Sequence, residues 1–179
     1  MDYKEIIVKE NRVYNGMIIN LNVDTVILPN GREAKREVVH HPGGVGVVAV
    51  DNEGYVYLVE QFRVPYNTMM LEIPAGKLDK GNEDIESAAR RELSEETGLE
   101  AENIQFIGEF YPSVGYTDEN LRLFVATGLT FKNSHPDEDE FVNLKKYHFD
   151  DAVKMVMDGT VKDGKTIAAI LMAKNLLNL

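Results

Sequence analysis

Up to about residue 40, apolar and polar positions alternate in short runs: IIV (Ile6–Val8), MIINLNVDTVIL (Met17–Leu28) and REVVHH (Arg36–His41). A period of two predicts β-strands. Pro29–Gly31 falls between the second and third runs, and an Asn-Gly pair there signals a hairpin. Three short strands make a poor core alone, so this small antiparallel sheet is expected to pack on the rest of the chain or on a second subunit.

From Gly43 the runs become denser. VGVVAV (Val45–Val50) and YVYLVEQFR (Tyr55–Arg63), separated by DNEG (Asp51–Gly54), predict two buried strands joined by a hairpin. MMLEIPAG (Met69–Gly76) reads as a short strand ended by Pro and Gly. The period then changes: EDIESAARRELSEETGL (Glu83–Leu99) predicts a helix with Gly98 as its left-handed cap. IQFIGEFYPS (Ile104–Ser113), NLRLFVATGLT (Asn120–Thr130) and FVNLKKYHF (Phe141–Phe149) predict strands, with an acidic loop at Lys132–Glu140. FDDAVKMVMDG (Phe149–Gly159) and KTIAAILMAKNLL (Lys165–Leu177) predict two closing helices. The expected fold is α/β (α+β): a mixed sheet between helices over residues 43–179, and an N-terminal antiparallel β-sheet over residues 1–42.

Length and charge narrow the partners. The 179 residues suit one domain with a real core, or one with a small appendage. No apolar run is long enough to span a bilayer, and MDYKEIIVKENR (Met1–Arg12) lacks the cationic and apolar segments of a secretory signal. There is no cysteine, hence no disulfide and no thiolate zinc site. A net charge of −11 without a basic cluster argues against nucleic acid and anionic lipid. A soluble cytoplasmic protein is expected. An anionic small molecule would also be repelled, unless a metal ion mediates the contact.

Glu92, Glu95 and Glu96 crowd the predicted helix with no lysine among them. With Ile85 at zero and about 100° per residue, Ala89 and Leu93 lie inward at roughly 40° and 80°, and Glu92 and Glu96 join them at roughly 340° and 20°. Carboxylates on the inward side are costly unless protonated or neutralised by a cation. Oxygen ligands suit Mg²⁺ or Mn²⁺ rather than zinc. A solvated acidic face is the plain alternative.

The wider segment GKLDKGNEDIESAARRELSEETGL (Gly76–Leu99) resembles the Nudix box, Gly-x5-Glu-x7-Arg-Glu-U-x-Glu-Glu-x-Gly-U with U aliphatic. From Glu83 every fixed position matches; six residues rather than five separate Gly76 from Glu83. The resemblance implies a Nudix-type α/β/α sandwich and a hydrolase of nucleoside diphosphate derivatives. It also implies that Glu92 and Glu96 bind divalent metal, that Glu95 supports or shares it, and that the Ala75 carbonyl adds a ligand. Arg91 would pair with Glu83 and orient the cluster. Metal ions would screen the diphosphate, acidify a bound water and stabilise the leaving phosphate.

Segments outside the box resemble the ADP-ribose pyrophosphatase branch: LPNG, REVVHHPGGVGVVAV, VEQFR, LEIPAGKL, DEDEFVNL and GKTIAAILMA, in that order. The branch implies a homodimer that exchanges N-terminal sheets and holds adenine with their help. Arg63 then becomes a candidate for the substrate phosphates, since a guanidinium can clamp phosphate through two bonds. Arg36 matches an arginine near the adenine, and Glu72 a residue beside substrate or metal. The general base is expected in PDEDEF, with Glu140 preferred over Glu138 because it is nearer the next strand. YPSVGYTDEN departs from the branch: Val114 replaces its usual proline and Tyr116 its phenylalanine, while Ser113, Gly115, Asp118 and Glu119 remain. Gly115 and Glu119 are kept as substrate-side candidates, Glu119 for a ribose or metal-water contact.

Other signals are weak. His40, His41, His135 and His148 have no metal-site spacing, GGVG (Gly43–Gly46) precedes its strand, and AGK lacks the rest of a phosphate-binding loop. The rival readings are another substrate, such as GDP-mannose or NADH, or a non-catalytic sensor of ADP-ribose-like ligands.

Overall fold

The computed structural model describes residues 2–78, 81–132 and 141–178. The chain forms two compact units: Met1–Gly43 with Tyr111–Asn120, and Gly44–Phe110 with Leu121–Leu179.

In the first unit, β3 (Asn20–Ile27) is the central strand. β4 (Glu33–His40) pairs along its whole length, from Asn20↔His40 to Ile27↔Glu33. β1 (Ile6–Lys9) and β2 (Arg12–Asn15) share the opposite edge. The sequence shows three of these strands. β2 escapes because RVYN is short and both its faces are exposed, so no alternation marks it. The expected hairpin forms at Leu28–Arg32, where Gly31 takes φ 79° and its N–H donates to Leu28 O at 2.8 Å.

Tyr111–Asn120 is grouped with this sheet by a parallel bridge, Val39↔Thr117. Val39 N–H donates to Tyr116 O (2.7 Å), and the Asp118 carboxylate accepts from His41 N–H (2.9 Å) and lies 2.5 Å from His40 Nδ1. Among its described residues, Val26 is the one buried apolar side chain of the unit, beside the buried polar Asn22, Asp24 and Thr25. Ile6, Ile7, Val8, Val13, Tyr14 and Ile18 are exposed.

The second unit is built on a mixed sheet ordered β11-β6-β5-β10-β9. These strands are β5 (Gly44–Val50), β6 (Tyr55–Arg63), β9 (Leu99–Phe110), β10 (Leu121–Phe131) and β11 (Asn143–His148). β5 and β10 run parallel, and the other neighbours in this order are antiparallel. Strand alternation divides the core into two layers. Val45, Val47 and Ala49 of β5 pack with Ala88, Ala89 and Leu93 of α1 (Ile85–Thr97). Val48 and Val50 point the other way, into a layer with Phe149 and Ala152 of α2 (Phe149–Met157) and Ala169, Ile170 and Ala173 of α3 (Gly164–Leu177). This is the expected α/β/α sandwich.

Two elements differ from their sequence patterns. MMLEIPAG is two strands: β7 (Thr68–Glu72) pairs with β6, and β8 (Ala75–Lys77) with β5. Pro74 has no N–H for a ladder, and the chain changes partner there while Pro74 O accepts from Val47 N–H. β9 starts at Leu99 rather than Ile104: the segment Leu99–Asn103 pairs with β10 from Leu99↔Phe131 to Asn103↔Thr127 on an edge strand, where Leu99 is buried while Glu100, Glu102 and Asn103 stay exposed. Among the described residues, no helix is long and apolar enough to cross a membrane.

Candidate active site

α1 is fixed at both ends. The Asp84 carboxylate caps it by accepting from Ser87 N–H at 3.1 Å, and Gly98 ends it at φ 70° with its N–H on Ser94 O. The inward face predicted from the helical angle is the observed one. Ala88, Ala89 and Leu93 are buried, and Glu92 and Glu96 lie among them at 7% and 5% exposure. Ile85, the reference of that projection, is exposed because it occupies the first turn.

Both inward acids face strand β8. Glu96 Oε2 accepts from Ala75 N–H at 3.0 Å. Glu92 lies against Gly76 so closely that a Cβ there would be 2.0 Å from its carboxyl carbon. The glycine is required by space, since its φ is not in the left-handed region.

Arg91 gathers the remaining acids. Its Nε and Nη2 donate to the two oxygens of Glu83, both at 2.9 Å, and its Nη1 donates to Glu92 and Glu95, both at 2.7 Å. The pairing with Glu83 expected from the sequence is therefore bidentate. These bonds, Glu83's foremost, hold the guanidinium protonated well beyond its ordinary range. Among the described residues, no three acidic or imidazole groups form a ready cage for a cation. The donor set nevertheless suits a hard divalent ion: two buried carboxylates, a third tethered through Arg91, and strand backbone held open by a glycine.

A second cluster lies at the ends of β6 and β7. Glu72, 2% exposed, receives Arg63 Nε at 2.6 Å and Nη2 at 2.7 Å. Lys165 Nζ meets the Oε2 atom that also accepts from Nη2, and lies 3.1 Å from Asp163. Burial alone would raise the Glu72 carboxyl, but the bonds from Arg63 and Lys165 more than offset it and hold it below the ordinary range. Arg63 is raised in turn, first by its bonds to Glu72, with smaller contributions from the charges of Asp163 and Glu96. The sequence marks Arg63 and Glu72, but not that they bond each other, and it misses Lys165. The trace it leaves is the Asp-Gly-Lys-Thr run at the start of α3, where Asp163 accepts from Thr166 N–H at 3.0 Å.

Thus Ala75, Arg91, Glu92, Glu95 and Glu96 come together, as do Arg63 and Glu72. Three candidates lie in the other unit. Arg36 is paired through Nε and Nη2 to the Glu5 carboxylate. Glu119 Oε1 lies 3.6 Å from His41 Nδ1. A Cβ on Gly115 would meet nothing within 4 Å. Glu138 and Glu140 lie outside the described residues.

Comparison with known proteins shows the family. Residues 40–170 match the NUDIX domain, and residues 5–39 the nucleoside diphosphate sugar hydrolase N-terminal domain. The chain is 43% identical over 170 residues to the methanol dehydrogenase activator of Bacillus methanolicus, covering 94% of this chain and 91% of that protein. It is 44% identical over 165 residues to the ADP-ribose pyrophosphatase of Bacillus subtilis (strain 168), covering 91% and 89%. A crystal structure of an ADP compounds hydrolase shares the fold, with TM-score 0.85 at 20% identity over 98% of this chain and 95% of that one. The chain belongs to the Nudix family of hydrolases.

Proposed function

We propose that the protein hydrolyses the diphosphate of ADP-ribose to AMP and ribose 5-phosphate, using Mg²⁺ or Mn²⁺. The observation that carries this reading is the arrangement of Glu92 and Glu96 against Ala75–Gly76, with Arg91 tying Glu83, Glu92 and Glu95 together. The 44% identical ADP-ribose pyrophosphatase supports the substrate.

Glu92, Glu96 and Glu95, with the Ala75 carbonyl, would hold the metal. When bound, it neutralises the diphosphate and lowers the pKa of water. Arg91 keeps Glu83, Glu92 and Glu95 in register without an ion present. Arg63, oriented by Glu72, is the phosphate clamp. Water attacks one phosphorus, the bridging P–O bond breaks, and the water's proton passes to a carboxylate outside the box. Glu140 is assigned that role, with Glu138 the alternative. Arg36, Glu119 and Gly115 are assigned to the adenosine and ribose ends.

We also assign the chain to a homodimer formed through its N-terminal sheet, in a cytoplasmic setting. The support is that Ile6, Ile7, Val8, Val13, Tyr14 and Ile18 are exposed on a unit with one buried apolar side chain among its described residues. A second substrate reading rests on Val114, 83% exposed where the branch carries proline: another nucleoside diphosphate sugar, such as GDP-mannose, would then be preferred.

Product analysis tests these readings. ADP-ribose is incubated with and without Mg²⁺, beside Glu96→Gln and a panel of nucleotide sugars and dinucleotides. AMP and ribose 5-phosphate are expected only with metal and intact Glu96. Cleavage of another panel member alone would move the substrate and keep the reaction. No cleavage of any would favour a sensor.

A further inference from the structure

We propose that Lys165 is a positioning residue that keeps Arg63 available to the substrate diphosphate by taking up the charge of Glu72. This rests on Arg63 being the phosphate clamp.

Arg63 and Glu72 alone form a closed ion pair. A guanidinium bonded through two N–H groups to one carboxylate has little net charge to offer an anion. Lys165 changes that balance. Its ammonium bonds the same carboxylate, so Glu72 is shared between two cations and is not neutralised by Arg63 alone, while Asp163 balances the second cation. Arg63 keeps 39% of its side chain exposed, whereas Lys165 keeps 12%. The cation of this cluster that is open to an anion is therefore the arginine.

Lys165 is aimed inward and held there. Its Nζ is shared between Glu72 and Asp163. The Asp163 charge is itself engaged at the N-terminus of α3, where the carboxylate accepts from Thr166 N–H and from the Thr166 hydroxyl at 2.5 Å. Thr166 Oγ1 in turn accepts from Ile73 N–H at 2.8 Å. The start of α3 thus grips two successive residues, Glu72 through Lys165 and Ile73 through Thr166. The chain then passes Pro74 to Ala75, whose N–H meets Glu96. A residue already bonded to two carboxylates and nearly covered is built to set its partner's charge rather than to touch substrate.

The test is a cycle of Lys165→Met, Lys165→Arg, Glu72→Gln and Glu72→Gln/Lys165→Met. KM and kcat are read on whichever nucleoside diphosphate sugar the wild type cleaves fastest, and binding of inorganic pyrophosphate with Mg²⁺ is measured by calorimetry. Lys165→Met is expected to raise KM and weaken pyrophosphate about tenfold or more, the scale of one charge-assisted bond, with kcat changed far less. Lys165→Arg is expected to restore most of the loss. In the Glu72→Gln background, removing Lys165 is expected to cost little, because the Glu72 charge that competes for Arg63 is already gone. An equal loss in both backgrounds would overturn the proposal in favour of direct contact. Unchanged KM and pyrophosphate affinity, with only a lower melting temperature, would overturn it in favour of a structural tie. If the wild type cleaves no panel member, the proposed function falls, and the calorimetry judges Lys165 alone. Absent or Lys165-independent pyrophosphate binding would then overturn it.

Discussion

Gly76 and Glu92 are in such close contact that a single methyl at position 76 would fall 2.0 to 2.2 Å from all three atoms of the Glu92 carboxylate. A box acid is thus positioned from outside its own helix, by a missing side chain on β8. Gly76→Ala must push that carboxylate away, and displacement on this scale costs about 100-fold in rate, with about 1–3 kcal/mol of overpacking strain. Gly31→Ala is the control. It has φ 79° but nothing within 4 Å, so it strains a turn without touching an acid. Steady-state kinetics and urea unfolding of both variants check this; unchanged kcat/KM in Gly76→Ala would sink the placement of Glu92 in the site.

Arg91 substitutes for part of the positive charge that the box acids need when no metal is bound. Its side chain bonds Glu83, Glu92 and Glu95 while 19% exposed. Arg91→Ala leaves those carboxylates to repel one another and is expected to cost about 2 kcal/mol or more without metal. Saturating Mg²⁺ should then stabilise the variant more than it stabilises the wild type, since the ion takes over some of the lost neutralisation. Melting temperatures of both proteins with Mg²⁺ and with EDTA measure the difference. An equal metal-induced shift in the two would show that Arg91 and the ion do not act on the same charges.

The inward acids were legible because helical geometry is regular. An angle of about 100° per residue is enough to place Glu92 and Glu96 beside Ala89 and Leu93, and their burial follows. The strands β5 and β6 were legible for a similar reason: runs such as Val45–Val50 have few other homes. What escaped has no periodic signal. β2 and the first part of β9 sit at sheet edges, where solvent tolerates polar side chains. Lys165 escaped because its partner, Glu72, is 93 residues away in sequence. Contact at that range comes from packing α3 on the sheet, and no local pattern encodes it.

The N-terminal sheet offers a test of assembly. Ile6 and Val8 alternate with Ile7 along β1, yet all three are exposed, so both faces of that strand are apolar and wet. A partner surface is the economical cover for such a strand. Ile6→Lys with Val8→Lys is expected to shift a dimer to monomer in sedimentation velocity, with far-UV circular dichroism nearly unchanged. A wild type that sediments as a monomer at all concentrations would remove the dimer from the proposed function.

Glu72 ties stability to pH in a direction its contacts fix. Its carboxyl is held below the ordinary value of 4.5 in the folded chain, because Arg63 and Lys165 more than offset the effect of burial. A group depressed on folding binds fewer protons folded than unfolded. It therefore adds stability fully above about pH 4.5, and loses it as pH falls from there through the folded value. Glu72→Gln removes the titration and leaves two cations without their shared counterion, a loss of about 3 kcal/mol or more near neutral pH. The gap in unfolding free energy between wild type and variant should hold steady from about pH 7 to about pH 5, then close with further acid. Asp51 and Asp118 are also held low, but both proteins contain them, so they cancel in the difference. Urea unfolding at stepped pH measures that gap. A gap that stays constant into strong acid would mean that Glu72 is not the buried anion on which Arg63 and Lys165 converge.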